Sequence, residues 1–438
     1  MGIRVIRTTR PLRDPAVLAV RNVLRAGGLT AAGEGRADIP SVVGRIIADV
    51  QARGDAAVVD WTRRLHKLRL TPRTLFVPAG RIRAARAAMD KPFLSLVRRA
   101  AGNIRAYQRR ILVTAPTPLR RAGRTLGVRY TPMDRVAVYV PGGKAAYPST
   151  LLMTVVPAQV AGVGEIVLAT PPGPDGAASL CVLALAGELG VQKVLCAAGV
   201  AALAALAIGT KTIPPVDKIV GPGSAYIAEA KRQLFGRVGI DSITGPSEVL
   251  IVADDSARPD WLAADMLAQA EHDPGSAVLV TTSAKLAQAV AREIERQLPL
   301  LSRRSALDKA LAEYSAIIVV PDLKAACDVA NDFAPEHLQI VVRREREALA
   351  RIRHAGAIFV GAYSPVPLGD YYAGPSHVLP TGGAARFSSA LSANDFLKAT
   401  SVIQYDEKAL AADADDVICF ARREGLSAHA RAAEIRRK

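Results

Sequence analysis

From about residue 135, the chain alternates short apolar runs that end in Gly or Pro with longer segments of helical character. The runs are VAVYVPGG, EIVLATPPG, KVLCAAG and KIVGPG, and the segments between them include TLLMTVVPAQVAGVG and VAALAALAIGT. Parallel strands are buried on both faces and are joined by helical crossovers, so they read as continuous apolar runs separated by helices. The alternation therefore predicts βαβ units and a parallel sheet.

A second series of the same kind follows, in which EVLIVAD, SAVLVTTS, SAIIVV, HLQIVV and GAIFVG alternate with helix-like segments such as AKLAQAVAREIERQL. It predicts a second α/β unit, with a boundary near Pro246. Before both series, residues 41–112 repeat apolar residues at spacings of three and four, which is typical of helices. The last fifty residues, including ANDFLKATSVIQYD and RREGLSAHARAAEIRRK, are also predicted to be helical and to form an arm.

Charge is distributed unevenly along the chain. Of 438 residues, 57 are Lys or Arg and 40 are Asp or Glu, and residues 1–130 hold 27 of the basic residues but only 7 of the acidic ones. A basic block can attract nucleic acid, but here the arginines are scattered and few aromatic side chains lie between them. A solvated basic surface is therefore favoured over nucleic-acid binding. Because half of all residues are hydrophobic, a disordered scaffold is excluded.

We expect neither a secretion signal nor a membrane-inserted segment. The amino-terminal string MGIRVIRTTRPLR has no apolar core, and Ile6 stands where a myristoylation signal needs Ser or Thr. The apolar stretch 151–170 is interrupted by Pro157 and Glu165, too early for a membrane span. The cysteines lie far apart without a CxxC motif and are predicted to be reduced: Cys181, Cys196, Cys327 and Cys419. We expect a soluble, cytoplasmic protein without a membrane partner.

Two short strings combine His with a second polar residue. In LAQAEHDPG, Gln269 and His272 lie three apart on one helix face, so they either form half of a metal site or cap the helix end. In APEHLQIVV, Glu336 precedes His337 where a helix passes into an apolar strand. Adjacent Glu and His suit proton transfer near neutral pH, but both reach one substrate only from an irregular turn. Ordinary polarity at a strand edge is the equal alternative.

Three loops rich in Gly and Pro are further candidates. The loop GAYSPVPLGDYYAGPSHVLPTGG carries Asp370 and His377, which are either site residues, with Asp370 as a metal ligand, or a turn cap and a backbone-bound imidazole. YVPGGKAAYPST follows a strand but lacks the G-x-G-x-x-G and P-loop spacings. GPGSAYIAEA offers N–H groups at a helix start, which can hold an anion. Tight strand-to-helix turns need Gly in any case, so neither of these two loops identifies a nucleotide site.

Taken in order, these strings resemble the histidinol dehydrogenase family. The resemblance rests on YVPGGKAAYPST, VDKIVGPGSAYIAEAKRQ, ITGPSEVLIVAD, LAQAEHDPGS, NDFAPEHLQI, GDYYAGPSHVLPTGGAARFSSALS and EGLSAHARA, and it runs from about residue 30 to the carboxyl terminus. It implies oxidation of L-histidinol through L-histidinaldehyde to L-histidine, the last steps of histidine biosynthesis, with two NAD and one zinc per active site. It also implies a homodimer whose carboxyl-terminal arm reaches the neighbouring subunit's site.

The resemblance further implies a role for each matching residue. The implied zinc ligands are Gln269, His272, Asp370 and His429. Glu336 would activate the water that hydrates the aldehyde, and His337 would move protons in both oxidations. The implied substrate contacts are Ser247, His377, Glu424, His337 and the four metal ligands, and the implied NAD contacts are Tyr139 and Ser224. Two positions depart from the family pattern, because Ala201 replaces a usual Gln and Ser224 replaces a usual Asn.

The predicted fold is α/β, with two incomplete Rossmann-like parallel-sheet domains, a helical amino-terminal segment and a carboxyl-terminal helical arm. The predicted divisions are residues 1–30 as the amino-terminal segment, 31–133 plus 246–385 as a discontinuous first α/β domain, 134–245 as the second, and 386–438 as an arm used in dimerisation. Two other functions stay open: a zinc- and NAD-dependent dehydrogenase of another small alcohol, such as a dihydroxypropanesulfonate, and more remotely a nucleic-acid-binding module. Glu424 favours histidinol, because a carboxylate suits an ammonium better than a sulfonate.

Overall fold

A computed structural model describes residues 2–26, 38–142, 148–173, 176–243 and 245–437. The strands are β1 Arg4–Arg7, β2 Leu119–Arg121, β3 Arg124–Pro132, β4 Arg135–Tyr139, β5 Glu165–Thr170, β6 Lys193–Cys196, β7 Lys218–Val220, β8 Gly239–Ile240, β9 Ser247–Ala253, β10 Gly275–Thr281, β11 Ala316–Val319, β12 His337–Val341, β13 Ala357–Val360 and β14 Leu397–Tyr405. The α-helices are α1 Pro15–Ala26, α2 Ile39–Arg53, α3 Asp55–His66, α4 Ala79–Ala88, α5 Lys91–Ile111, α6 Pro148–Ala161, α7 Leu180–Glu188, α8 Gly199–Ile208, α9 Ala225–Leu234, α10 Pro259–Ala270, α11 Ala284–Gln297, α12 Arg304–Lys309, α13 Leu323–Phe333, α14 Glu345–Arg351, α15 Val366–Tyr371, α16 Glu407–Arg423 and α17 Ser427–Glu434. Short 3-10 helices lie at Pro11–Arg13, Pro72–Thr74, Leu298–Leu300, Ala384–Arg386 and Ala393–Phe396, and a π-helical turn lies at Ala310–Tyr314. None of the helices in the described ranges is both long and apolar enough to cross a membrane.

Strands β4 to β8 form a five-stranded parallel sheet in the order β6-β5-β4-β7-β8. The strand order reverses between β4 and β7, because the chain first builds outward through β5 and β6 and then returns to the other side of β4. Val136 and Val138 of β4 pack toward α6 and α7, whereas Ala137 and Tyr139 pack toward α2, α8 and α9. Helices therefore cover both faces of this sheet, as expected for parallel strands.

Strand β1 and strands β9 to β13 form a six-stranded parallel sheet in the order β1-β11-β10-β9-β12-β13. Here the order reverses between β9 and β12. Val249 and Ile251 of β9 pack toward α10 and α11, and Leu250 and Val252 pack toward α1 and α13. Two parallel sheets flanked by helices confirm the predicted α/β class. The amino-terminal segment, predicted to be helical, contains the edge strand β1 as well as α1.

Helices α2 to α5 pack against the five-stranded sheet. Ile82 of α4 and Ile104 of α5 belong to the core beside α6 and α7, and Val43 of α2 and Val58 of α3 belong to the core beside α8 and α9. These contacts place the helices with residues 134–245, which differs from the predicted grouping of 31–133 with 246–385. Apolar spacing indicates which helix face is buried, but not which sheet covers it. The predicted boundary between residues 30 and 31 lies outside the described residues.

A third sheet links the carboxyl-terminal region to the rest of the chain. It is antiparallel, in the order β14-β3-β2. Because β14 spans Leu397–Tyr405, the prediction of helix for ANDFLKATSVIQYD is wrong over most of that string. Its β-branched residues Thr400, Val402 and Ile403 favour a strand once β3 supplies backbone partners. Beyond β14, α16 and α17 pack on each other through a small core of their own, as predicted for a helical arm.

Candidate functional site

Glu336 and His337 lie at the amino edge of the six-stranded sheet, beside the start of β9. Glu336 occupies a bend just before β12, so its side chain and that of His337 converge, with Oε2 of Glu336 3.5 Å from Nδ1 of His337. The backbone N–H of Glu248 donates to Oε2 of Glu336 at 2.9 Å, and the backbone oxygen of Glu248 lies 3.0 Å from Nδ1 of His337. In return, Oε1 of Glu248 accepts from the N–H groups of Glu336 at 3.3 Å and Gly382 at 3.0 Å. Residue 248 therefore orients both members of the candidate acid–base pair.

Burial and mutual charge place the pKa values of these groups close to neutral pH. Burial, reinforced by the charge of Glu336, raises the pKa of Glu248 to about 8, and burial raises the pKa of Glu336 to about 7. Burial acts to lower the pKa of His337, but the carboxylates of Glu336 and Asp370 outweigh it and raise that pKa to about 9. Groups with such pKa values exchange protons readily at neutral pH, which is what general acid–base catalysis needs.

The candidate metal ligands Gln269 and His272 lie at the carboxyl end of α10, facing Asp370 at the end of α15. Burial lowers the pKa of His272 and so favours the neutral imidazole that binds metals. The pKa of Asp370 is also low, because the hydrogen bond and positive charge of His337 outweigh the effect of burial, and the carboxylate is ionised. Gln269 is buried, and its Nε2 has no hydrogen-bond partner within the described part of the chain. A neutral imidazole, an ionised carboxylate and an amide that would bind through its Oε1 fit the donor set of a zinc ion.

These three side chains form an incomplete set. No group of three or more His, Cys, Asp or Glu side chains within the described ranges can hold a metal by itself. His429, the fourth predicted ligand, is exposed on α17, and Glu424 is exposed at the end of α16. The single chain therefore does not bring these two arm residues to the site.

His377 and Ser247 flank the candidate pair. Nδ1 of His377 lies 3.0 Å from the backbone oxygen of Asp370, and its Nε2 lies 3.4 Å from Oγ1 of Thr150 on α6. His377 thus has a backbone partner, as in the alternative considered from sequence, and it also links the loop after α15 to the helical layer of the five-stranded sheet. Ser247 is the first residue of β9 and is half-buried next to Glu248.

The predicted cofactor contacts lie at the carboxyl edge of the five-stranded sheet, where the strand order reverses. Tyr139 ends β4 and is buried, and Ser224 is the N-cap of α9. A Cβ at Gly199, the first residue of α8, would lie 2.8 Å from Oη of Tyr139, so a larger residue there would require the Tyr139 side chain to move. Ala201 is buried in the core in the first turn of α8. Parallel α/β sheets bind ligands at such positions, with phosphates at helix N-termini. Residues 143–147 of the YVPGGKAAYPST string and residue 244 lie outside the described residues.

The histidinol dehydrogenase family model matches residues 30–437. The chain belongs to this family. The histidinol dehydrogenase of Geobacillus kaustophilus is 52% identical over 392 residues, which cover 89% of this chain and 92% of that protein. That of Bacillus subtilis is 47% identical over 394 residues, which cover 90% and 92%. The crystal structure of histidinol dehydrogenase from Elizabethkingia anophelis has a TM-score of 0.90 at 30% identity, covering 100% of this chain and 98% of that one.

Membership of the histidinol dehydrogenase family confirms the predicted family and enzyme class, an NAD-dependent oxidoreductase. It does not favour dihydroxypropanesulfonate oxidation or nucleic-acid binding. Sequence reasoning missed Glu248, which it included in the apolar strand EVLIVAD. The available signal was a carboxylate at the start of a run that is otherwise buried, since a buried charge needs partners.

Sequence reasoning also missed Gly275, the first residue of β10. A Cβ there would lie 2.3 Å from the backbone oxygen of Gln269 and 2.9 Å from that of His272. The absence of a side chain at residue 275 therefore lets the turn that carries both candidate ligands close against the sheet.

Proposed function

We propose that this chain oxidises L-histidinol to L-histidinaldehyde and then to L-histidine, the last steps of histidine biosynthesis, with NAD and zinc. The observation that carries the proposal is the buried Glu336–His337 pair beside His272 and Asp370, in a member of the histidinol dehydrogenase family. In the first oxidation the alcohol gives a hydride to NAD and a proton to the protein. In the second, the hydrated aldehyde gives another hydride to a second NAD and another proton to the protein.

We assign proton transfer to Nε2 of His337. A carbonyl oxygen only accepts hydrogen bonds, so the contact with the backbone oxygen of Glu248 requires a hydrogen on Nδ1 of His337. With a hydrogen fixed on Nδ1, Nε2 is the nitrogen that gains or loses the second proton, and the raised pKa of about 9 makes the neutral ring a strong base there. Nε2 lies 3.6 Å from Oδ1 of Asp370, beside the candidate metal ligands. Nε2 takes the hydroxyl proton of the alcohol in the first oxidation and that of the hydrate in the second.

We assign the hydration step to Glu336. The N–H of Glu248 fixes Oε2 of this carboxylate, and its raised pKa of about 7 makes it a stronger base than an exposed Glu. Glu336 accepts a proton from water while the water oxygen bonds to the aldehyde carbon. The carbonyl oxygen takes the proton that Nε2 of His337 gained in the first oxidation, which leaves Nε2 ready to accept the hydroxyl proton of the hydrate.

Gln269, His272, Asp370 and His429 are the residues that would hold zinc. When bound, the ion would hold the amino and imidazole nitrogens of the substrate and so orient the alcohol carbon. Ser247, His377 and Glu424 would add contacts to the substrate, and Tyr139 and Ser224 would contact NAD. A chelator that strips the metal should abolish turnover, and added zinc should restore it in proportion to the metal content of the protein.

We further propose a homodimer in which the arm of one chain supplies His429 and Glu424 to the site of the other. The exposed apolar side chains of the arm support this, because they leave a surface that a second copy would cover: Val402, Ile403, Val417, Phe420 and Ile435. Mixing a His429→Asn variant with a His337→Asn variant tests the arrangement. Recovery of activity in mixed dimers supports a shared site, and absence of recovery contradicts it. A cytoplasmic location stays a prediction.

The direct test of the function is NADH formation by the zinc-loaded protein with L-histidinol, and separately with dihydroxypropanesulfonate and glycerol. About two NADH for each histidine formed would support the proposal and would show that Ala201 and Ser224 are tolerated. Zinc binding without any turnover of histidinol, together with turnover of another alcohol, would contradict it and leave only the fold and the family.

A further inference from the structure

A buried ion pair lies behind the turn that follows β7. Lys231 of α9 and Asp241, which follows β8, have side chains that are only 1% and 2% exposed, and Nζ of Lys231 contacts Oδ1 of Asp241. Both charged groups also bind the backbone of Gly221. Nζ of Lys231 donates to the oxygen of Gly221 at 3.1 Å, and the N–H of Gly221 donates to Oδ2 of Asp241 at 2.7 Å. The ion pair thus binds both the backbone oxygen and the backbone N–H of Gly221.

Gly221 adopts a backbone conformation that no other residue type can adopt without strain. Its φ is +114°, and a Cβ at this position would lie 2.2 Å from the backbone oxygen of Tyr139. The peptide groups of Gly221 therefore pack directly against the end of β4. Because Gly has wide backbone freedom, this conformation needs outside contacts to hold it, and the ion pair supplies them on both sides of the residue.

Attraction of a charged ligand does not explain why this ion pair is present. Lys231 and Asp241 neutralise each other and are shielded from solvent, so they offer no net charge to a phosphate. Apolar side chains of similar volume would fill the same space at less cost in desolvation, whereas a charged pair specifies one geometry. The geometry that it specifies is that of residues 221–224, which lead from β7 to Ser224 at the start of α9.

We propose that Lys231 and Asp241 are positioning residues for NAD, because they hold Gly221 in the conformation that lets the turn 221–224 receive the cofactor opposite Tyr139. This inference rests on the proposed NAD site at the carboxyl edge of the five-stranded sheet. Neither residue touches the cofactor, and both act through the backbone of the turn. Removing the donor to the oxygen of Gly221 frees the turn to rotate, so cofactor binding weakens while the chemistry at Glu336 and His337 stays intact.

The test compares Lys231→Met with Lys218→Met in the full-length, zinc-loaded protein. Lys218 is the matched control, because it is also a buried lysine and its Nζ donates to a backbone oxygen, that of Asp395, at 2.6 Å. Its charge also acts on Lys231 and Asp241, so its removal changes the local charge without removing the bond to the oxygen of Gly221. We expect Lys231→Met to raise the KM for NAD and the Kd for NAD about tenfold. The kcat at saturating NAD and the KM for histidinol should stay within about twofold of wild type, and Lys218→Met should leave NAD binding unchanged.

A second variant covers the case in which Lys231→Met fails to fold because Asp241 is left unpaired. The double variant Lys231→Met/Asp241→Asn has no unpaired buried charge and keeps an acceptor for the N–H of Gly221, and it should also bind NAD more weakly. Titration with NAD in the absence of substrate measures this loss of NAD affinity even if histidinol is not the substrate. Unchanged NAD affinity in the folded variant, or an equal loss in Lys218→Met, would overturn the inference. Absence of NAD binding by the wild type would overturn the NAD site itself together with this inference, which distinguishes the two failures.

Discussion

The two parallel sheets contribute opposite edges to the candidate site. The five-stranded sheet contributes its carboxyl edge, at Tyr139 and Gly221, where helices α8 and α9 begin. The six-stranded sheet contributes its amino edge, at Glu248 and His337, where helices α10 and α13 end. Helix N-termini carry partial positive charge and helix C-termini partial negative charge. One edge therefore suits the phosphates of a dinucleotide, and the other suits a metal ion, a substrate ammonium or an imidazolium.

This difference explains why only one of the two sheets follows the usual rule for α/β proteins. Ligands commonly bind at the carboxyl ends of strands where the strand order reverses, as between β4 and β7. The order also reverses between β9 and β12, but the candidate catalytic groups lie at the amino ends of those strands. The rule concerns anionic ligands held by helix N-termini, and a site for cations reverses the requirement. Variants at one edge should therefore leave the function of the other edge intact.

The largest expected effect comes from His337→Asn at the amino edge. Loss of the group that moves protons should lower kcat by about 10²–10⁴-fold, because that is the usual contribution of a positioned acid or base. Zinc content and the Kd for NAD should match the wild type, since His337 is neither a candidate ligand nor part of the five-stranded sheet. Steady-state NADH formation, metal analysis and NAD titration measure the three quantities. A large loss of NAD affinity would contradict the independence of the two edges.

The next effect is a change in the pH dependence of stability in Glu248→Gln. Burial, reinforced by Glu336, raises the pKa of Glu248 to about 8 from an ordinary 4.5, so the folded protein holds this proton more tightly than the unfolded chain does. The stabilising contribution is complete below the unfolded pKa and is lost as pH rises through the folded one, with a slope of up to about 1.4 kcal/mol per pH unit. Gln keeps an oxygen acceptor for the N–H groups of Glu336 and Gly382 but has no proton to lose.

Urea unfolding between about pH 5 and pH 8.5 measures this slope. As pH rises, the free energy of unfolding of the wild type should fall faster than that of Glu248→Gln. The difference in stability between the two proteins should therefore shift in favour of the variant toward about pH 8.5. Parallel curves for the two proteins would mean that Glu248 is ionised in the folded state throughout this range.

Several of these features could be predicted from sequence, and others could not, for physical reasons. Short apolar runs separated by helix-like segments identify strands of both sheets, and the candidate residues Glu336, His337 and Asp370 stand out as polar groups in short strings. Lys231 was not recognised, because AYIAEAKRQL has the composition of a helix with a solvated face, and only the fold places Asp241 against it. Local periodicity does not reveal that β14 pairs with β3, because the two strands are distant in the chain. For the same reason it does not reveal that the carboxyl edge of one parallel sheet and the amino edge of the other contribute to the candidate site.

A smaller effect is expected from Gly275→Ala, which tests the amino edge through its backbone. The added Cβ would meet the backbone oxygens of Gln269 and His272, so the turn must shift, at a cost of roughly 1–3 kcal/mol in the free energy of unfolding. Zinc affinity should fall about tenfold because two candidate ligands move with the turn. Gly102→Ala is the control, since no atom lies within 4 Å of the added Cβ and Ala favours helix α5 by roughly 0.5–1 kcal/mol. Unchanged zinc affinity in Gly275→Ala would contradict a metal site at this turn.

The smallest expected effect is that of Thr62→Val, on the opposite edge. Oγ1 of Thr62, in α3, donates to the oxygen of Val58 at 2.7 Å and accepts from the N–H of Ala198 at 3.0 Å, so it caps α8 from a neighbouring helix. Val keeps the shape but leaves that N–H without its acceptor, at a cost of about 1 kcal/mol. Because α8 begins against Tyr139, the KM for NAD should rise about twofold, by a fraction of that energy.

Thr62→Ser keeps the hydroxyl and should restore both stability and the KM for NAD, which separates the lost hydrogen bond from the change in packing. Zinc affinity and the pH dependence assigned to Glu248 should not change in either variant, since the hydrogen bonds of Thr62 join α3 to the start of α8. A change in zinc affinity would mean that the two sheets respond as one unit. The charge preference of each edge would then follow from the whole assembly rather than from the helix ends beside it.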